Sequence, residues 1–159
     1  MDRNIIGVIG AGTAGEDILG MAEEIGRLIA EQGCLLICGG MGGVMEASAR
    51  GAKQACGTTI GILPQPDRHT ANPYIDIPIA TSFGEARNLI IIRTADLLIA
   101  VGGEYGTLSE IAFALKAEKP VIGLHTWDIK GIIRAETPAE AVGRAMEILA
   151  AAESVKEDI

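Results

Sequence analysis

Asp96-Leu97-Leu98-Ile99-Ala100-Val101-Gly102-Gly103-Glu104-Tyr105-Gly106-Thr107 is the stretch whose reading decides the fold. After one acid comes an apolar run too short for an ordinary helix and without the alternation of a half-wet strand. Such a run suits a strand buried on both faces, as in a parallel sheet covered by helices. The glycines permit a tight turn, and a helix is expected to follow to about Ala117.

The same strand–turn–helix unit recurs on either side. Ile5–Gly10 is a short apolar run ending in glycine, and residues 17–32 follow with helical spacing (Ile18, Met21, Ala22, Ile25, Leu28, Ile29). Gly33 stands where a C-cap glycine belongs. Residues 34–38 (CLLIC) predict a second strand, 44–55 a helix, and 58–63 (TTIGIL) a third strand. Residues 64–73 read as an irregular polar stretch. Residues 74–80 read as extended, with Pro78 confining them to an edge. A helix is expected over 84–94, burying Ala86, Leu89, Ile90 and Ile92, then strands at 96–101 and 120–124 and a closing helix at 138–152. Repeated units of this length require parallel strands joined by right-handed crossovers. The expected fold is α/β: a Rossmann-like doubly wound parallel sheet with helices on both faces, forming one nucleotide-binding domain over residues 1–159.

Composition narrows the function classes. The 159 residues carry 13 basic and 21 acidic side chains, a net charge of -8. Such a chain repels a polyanion over most of its surface, so no nucleic-acid partner is expected. No apolar run is long enough to span a membrane, and the first residues lack the apolar core of a signal peptide. The expected location is cytoplasmic, with no membrane partner. Cys34, Cys38 and Cys56 include no CxxC and predict reduced, buried thiols rather than a disulfide framework or zinc site. No cluster has metal-ligand spacing, and no resident cofactor is expected. His69 in the polar loop and His125 after the last strand have no partners at catalytic spacing.

Three glycine-rich turns fall at the carboxyl ends of strands, each before a helix: Gly10-Ala11-Gly12-Thr13-Ala14-Gly15, Gly39-Gly40-Met41-Gly42-Gly43, and residues 102–107. Open N–H groups and the positive end of a helix favour an anion there. The candidate contacts to a phosphate-bearing ligand are Gly10, Gly12, Thr13, Gly39, Gly40, Gly42, Gly43, Gly103, Glu104, Tyr105, Gly106 and Thr107. The first turn matches GxGxxG, yet the acid that should end the second strand of a dinucleotide-binding unit is replaced by Gly39 and Gly40. There is no Walker-A loop. Arg87 and Glu110 are expected in the first turns of the helices before and after the 96–101 strand, facing the same edge. Arg87 could fork a phosphate or carboxylate. Glu110 follows Thr107 at capping-box spacing, so a role in ligand chemistry and a role in capping are both open.

The stretches Gly39-Gly40-Met41-Gly42-Gly43-Val44-Met45, then Arg87, then Gly103-Glu104-Tyr105-Gly106-Thr107-Leu108-Ser109-Glu110 resemble the "lonely guy" family. Its members are nucleoside 5′-monophosphate phosphoribohydrolases once labelled lysine decarboxylases. The resemblance extends to a short DNA-processing-protein-related subgroup, in a superfamily shared with molybdenum-cofactor carrier proteins. The family signature PGGxGTxxE falls on residues 102–110, with its GT and E at Gly106, Thr107 and Glu110. Two departures stand out. Glu104 replaces a signature glycine, and the family's Met-His-x-Arg-Lys reads Gly84-Glu85-Ala86-Arg87-Asn88, keeping only the arginine.

The resemblance implies hydrolysis of an N-glycosidic bond through an oxocarbenium-like state. Arg87 and Glu110 would then be catalytic, the 5′-phosphate would lie against Gly106, Thr107 and the turn at 39–43, and the chain would form a homodimer or higher homo-oligomer. It equally implies the alternative of a non-catalytic carrier or sensor of a phosphorylated ligand such as molybdenum cofactor. Pyridoxal-dependent decarboxylation is not expected, because no lysine lies near these turns.

Overall fold

Along the chain run strand Ile5–Gly10 (β1), helix Glu16–Glu31 (α1), strand Leu35–Cys38 (β2), helix Val44–Gln54 (α2) and strand Thr59–Leu63 (β3). Strand Ile77–Ala80 (β4), helix Asn88–Thr94 (α3), strand Leu97–Val101 (β5) and helix Tyr105–Lys116 (α4) follow. Strands Val121–Leu124 (β6) and Ile133–Ala135 (β7) and helix Pro138–Glu157 (α5) complete the order. This computed structural model describes residues 2–157. Among the described residues, the seven strands form one parallel sheet in the order β4-β3-β2-β1-β5-β6-β7. The chain winds outward from β1 through β2 to β4, then restarts at β5 on its other side. Strand order therefore switches between β1 and β5, the place where such sheets bind ligands.

Two apolar layers hold helices to the sheet. Leu97, Ile99 and Val101 of β5 face one side with Ile25 and Ile29 of α1, Ala47 of α2 and Ala145 of α5. Leu98 and Ala100 face the other side with Ile91 and Ile92 of α3 and Ile111 and Ala114 of α4. All five β5 residues are fully buried, which is why that strand is apolar throughout. Each large aliphatic side chain buried this way contributes roughly 1.5–3 kcal/mol.

Helices α1 and α2 meet backbone to backbone. A Cβ at Gly26 would lie 1.8 Å from the carbonyl oxygen of Ser48, and one at Gly51 would lie 1.8 Å from that of Glu23. Neither carbonyl can move without its helix. Gly26→Ala is therefore expected to force the pair apart at a cost of about 2 kcal/mol, read as a lowered urea midpoint.

Several local expectations are corrected. Residues 84–94 are not one helix: a 3₁₀ turn, Gly84–Arg87, precedes α3. Gly84 has φ +57°, outside the right-handed α region, so an α-helix cannot run through it, and the α-helix is found from Asn88. The apolar run within it divides: Ile91 and Ile92 are buried, while Leu89 is exposed. β7 has no apolar run to announce it, since Arg134 is its middle residue. The closing helix continues five residues past 152. Cys34 and Cys38 are buried as expected, but Cys56 is exposed after α2. Pro78 does lie on β4 at the sheet edge, where its missing N–H breaks no central ladder. No helix among the described residues is long and apolar enough to cross a membrane.

Candidate functional site

Gly10, Val101 and Leu124 stand in register across β1, β5 and β6, so the turns leaving these strands begin side by side on one rim. There an open cleft of about 650 Å³ lies at the switch point. Gly10, Ala11, Gly12 and Thr13 form one wall, and Glu104, Gly106, Thr107 and Glu110 of α4 another. Pro64, Gly84, Glu85, Arg87 and Asn88 close a third side, with Met45 of α2.

Helix α4 supplies the open donors. Its N-cap is Glu104, and no side chain caps it. The N–H of Leu108 is the first to bond within the helix, to the Glu104 carbonyl at 3.0 Å. Those of Tyr105, Gly106 and Thr107 precede it and have no intrahelical acceptor. Thr107 is thus inside the helix rather than capping it, which removes the capping-box alternative and places Glu110 in the second turn. Gly103, at φ +109°, is the residue that makes this entry possible. A Cβ there would lie 2.4 Å from the Cβ of Thr107.

Glu110 is 9% exposed, and its pKa is pushed from 4.5 up to about 7. Burial is the cause, opposed by the charge of Arg87. A carboxyl poised there can accept or donate a proton near neutral pH.

Arg87 is equally buried and is held by main chain. Its Nε donates to the Ile62 carbonyl at 2.8 Å, Nη2 to the Gly39 carbonyl at 3.4 Å, and Nη1 to Oδ1 of Asn88. Nη2 also lies 3.9 Å from Sδ of Met45. A guanidinium has five N–H donors, so one, on Nη1, remains for a ligand. Burial lowers its pKa and Glu110 counteracts that shift.

The turn at 39–43 supports these groups from beneath. A Cβ at Gly39 would fall 2.6 Å from Nη2 of Arg87 and from Sδ of Met45, so only glycine lets the guanidinium lie over the end of β2. Gly40 packs on Leu63 and Gly61, and Gly42 and Gly43 pack on the backbone of Gly12. The N–H of Val44 donates to the Ala11 carbonyl at 3.0 Å, which turns the start of α2 into the first turn. Asn72 grips the carbonyls of Gly40 and Met41 from outside.

The structure therefore brings together Gly10, Gly12, Thr13, Arg87, Glu104, Gly106, Thr107 and Glu110 at the cleft, and leaves Gly39, Gly40, Gly42, Gly43 and Gly103 behind it. Tyr105 is 80% exposed and lies outside the lining. Met45, Pro64, Glu85 and Asn88 join the wall too; of these, Met45, Glu85 and Asn88 fall in the stretches quoted above but are not among the candidate contacts. No group of three or more His, Cys, Asp or Glu among the described residues could hold a metal ion. His125 lies instead in a smaller hollow of about 160 Å³ with Trp127 and Arg134.

A doubly wound parallel sheet with a glycine-rimmed cleft at its switch point places the molecule in the Rossmann-like α/β class. Within it, the chain belongs to the SLOG cluster4 family, whose model matches residues 3–156. It is 53% identical over 138 residues to an uncharacterized protein of Archaeoglobus fulgidus, covering 86% of this chain and 91% of that one. Against the cytokinin riboside 5′-monophosphate phosphoribohydrolase of Mycobacterium tuberculosis it is 31% identical over 121 residues, 70% of this chain and 64% of that one.

Among solved structures, the molybdenum cofactor binding protein of Rippkaea orientalis superposes with a TM-score of 0.89 at 40% identity, covering 94% of this chain and 99% of that one. The molybdenum cofactor carrier protein of Chlamydomonas reinhardtii gives 0.86 at 42%, with the same coverage. DNA processing protein A of Streptococcus pneumoniae shares the fold, with a TM-score of 0.73 at 14% identity over 89% of this chain and 61% of that one. The expected kinship with the lonely-guy and molybdenum-cofactor carrier proteins holds.

Proposed function

We propose that the cleft binds one phosphate-bearing small molecule, and that the protein is a carrier of a phosphorylated cofactor of the molybdenum-cofactor kind. The observation that carries this is the convergence of the open N–H groups of α4 with the buried Arg87 guanidinium and its one unspent donor on one cleft. A phosphate placed there meets a helix N-terminus and a guanidinium at once. The carrier reading draws support from likeness to carrier proteins at 40–42% identity over nearly their whole length. Glu104, a carboxylate where the hydrolase signature has glycine, points the same way.

A second reading is favoured by Glu110, poised near neutrality beside Arg87. In a nucleoside 5′-monophosphate phosphoribohydrolase the C1′–N bond breaks and its electron pair leaves with the base, which takes up a proton. Water adds to C1′ and yields its proton to Glu110, whose charge steadies the oxocarbenium-like state. Arg87 would orient the phosphate or the leaving base.

Mass spectrometry of the co-purified ligand, followed by incubation with molybdenum cofactor and with nucleoside monophosphates, separates the two. Retention without turnover is the expected result. Release of free base and ribose 5-phosphate that is abolished in Glu110→Gln would establish the hydrolase instead, and absence of any binding would overturn both. The same reading includes one nucleotide-binding domain, a cytoplasmic protein and no nucleic-acid partner, the last supported by the net charge of -8. It also includes a homodimer or higher assembly, supported by exposed Leu89 and Phe113 on α3 and α4.

A further inference from the structure

The chain reverses sharply after β6. His125 takes φ +50°, a conformation that residues with a side chain seldom adopt. The two residues beyond it are returned toward the start of α4. The Thr126 hydroxyl donates to the Gly102 carbonyl at 2.5 Å, and Nε1 of Trp127 donates to the Glu104 carbonyl at 3.1 Å. The Trp127 ring also lies 5.8 Å from that of Tyr105, tilted by 33°. Gly102 is bound from the opposite end too, its N–H donating to the Leu124 carbonyl at 3.0 Å.

These contacts reach the cleft through the planarity of the peptide. In a trans unit the C=O and the following N–H point in opposite directions. Drawing the Glu104 carbonyl toward Trp127 aims the N–H of Tyr105 the other way, and the Gly102 carbonyl does the same for the N–H of Gly103. The Leu108 N–H already holds the Glu104 carbonyl from within α4. Gly102 and Gly103, at φ +56° and +109°, have wide conformational freedom, so the turn before that helix relies on these outside bonds as well. No side chain caps α4.

We infer that Thr126 and Trp127 are positioning residues of the cleft: their hydrogen bonds clamp the turn at 102–104 and so set the direction in which the open end of α4 meets a bound phosphate. This rests on the phosphate-binding reading above. It assigns a function to a loop outside the cleft and to the only tryptophan in the sequence.

Nuclear magnetic resonance of the whole protein tests it, with inorganic phosphate as the probe. In the wild type the single indole N–H should exchange slowly, and phosphate should shift the amides of Gly106 and Thr107. Trp127→Phe keeps a ring against Tyr105 but loses the donor, and Thr126→Val keeps the shape but loses the hydroxyl. Each should mobilise the amides of Gly103 and Tyr105 and weaken phosphate about five-fold, the worth of one hydrogen bond. Thr126→Ser should restore both. If these amides stay as rigid as in the wild type in both variants, the clamp is mere surface packing and the inference is overturned. Should phosphate shift nothing in the wild type, the binding reading fails, while amide mobility still decides the clamp. If Trp127→Phe does not fold, the Val and Ser variants at 126 suffice.

Discussion

Replacing Glu110 by glutamine should raise the melting temperature at pH 8.5 by roughly 6–12 °C, and by almost nothing below pH 4.5. The reason is proton linkage. The folded carboxyl titrates at about 7, whereas its ordinary value is 4.5. Between those limits the folded chain keeps a proton that the unfolded chain has lost, so stability is greatest below 4.5 and falls as pH rises through 7. Above that window the wild type holds a buried charge that costs on the order of 3 kcal/mol, which an uncharged isostere avoids. Calorimetry of both proteins from pH 4 to 8.5 checks the trend. A variant no more stable than the wild type at pH 8.5 would mean that water or a neighbour already satisfies the carboxylate.

Arg87→Met carries the opposite sign. The guanidinium donates to the carbonyls of Ile62 and Gly39, and truncation leaves both without that donor beneath a non-polar side chain. A cost of about 3 kcal/mol is expected, seen as a lower urea midpoint with unchanged slope. Phosphate-compound affinity should drop roughly 100-fold as the charge-assisted donors vanish. Lysine should not rescue it, because one ammonium cannot span two carbonyls and still present a donor to the ligand. Loss of Arg87 should also drive the Glu110 titration above its wild-type midpoint, since Arg87 is the charge that holds it down. An unmoved Glu110 titration in Arg87→Met would refute their electrostatic coupling.

Legibility in the sequence followed the range of the force involved. The 96–101 run, the 5–10 run and the 34–38 run could be read because a strand covered on both faces must be apolar at every position. β7 escaped because a short edge strand needs no such run. Among the site residues, Arg87 and Glu110 stood out as charges flanking an otherwise apolar strand unit, and they do share one cleft. Thr107 illustrates the limit. Its spacing to Glu110 fits a capping box as well as a cleft wall, and only the observed helix start at Tyr105 separates the two.

The three glycine turns make the closing distinction. By itself the sequence determined that the chain alternates strand and helix, that its sheet is parallel, and that glycine-rich turns crowd one edge, since these rest on local periodicity and backbone freedom. Tertiary structure decided which of the turns face the cleft. Pairing of β1 with both β2 and β5 sets Ala11 against the start of α2, leaving that helix end occupied, and puts Arg87 over Gly39. The N-terminus of α4 is left without a side-chain cap, and the return of the chain after β6 bonds the turn before it from outside. Such contacts join residues distant in sequence, and no local pattern encodes them.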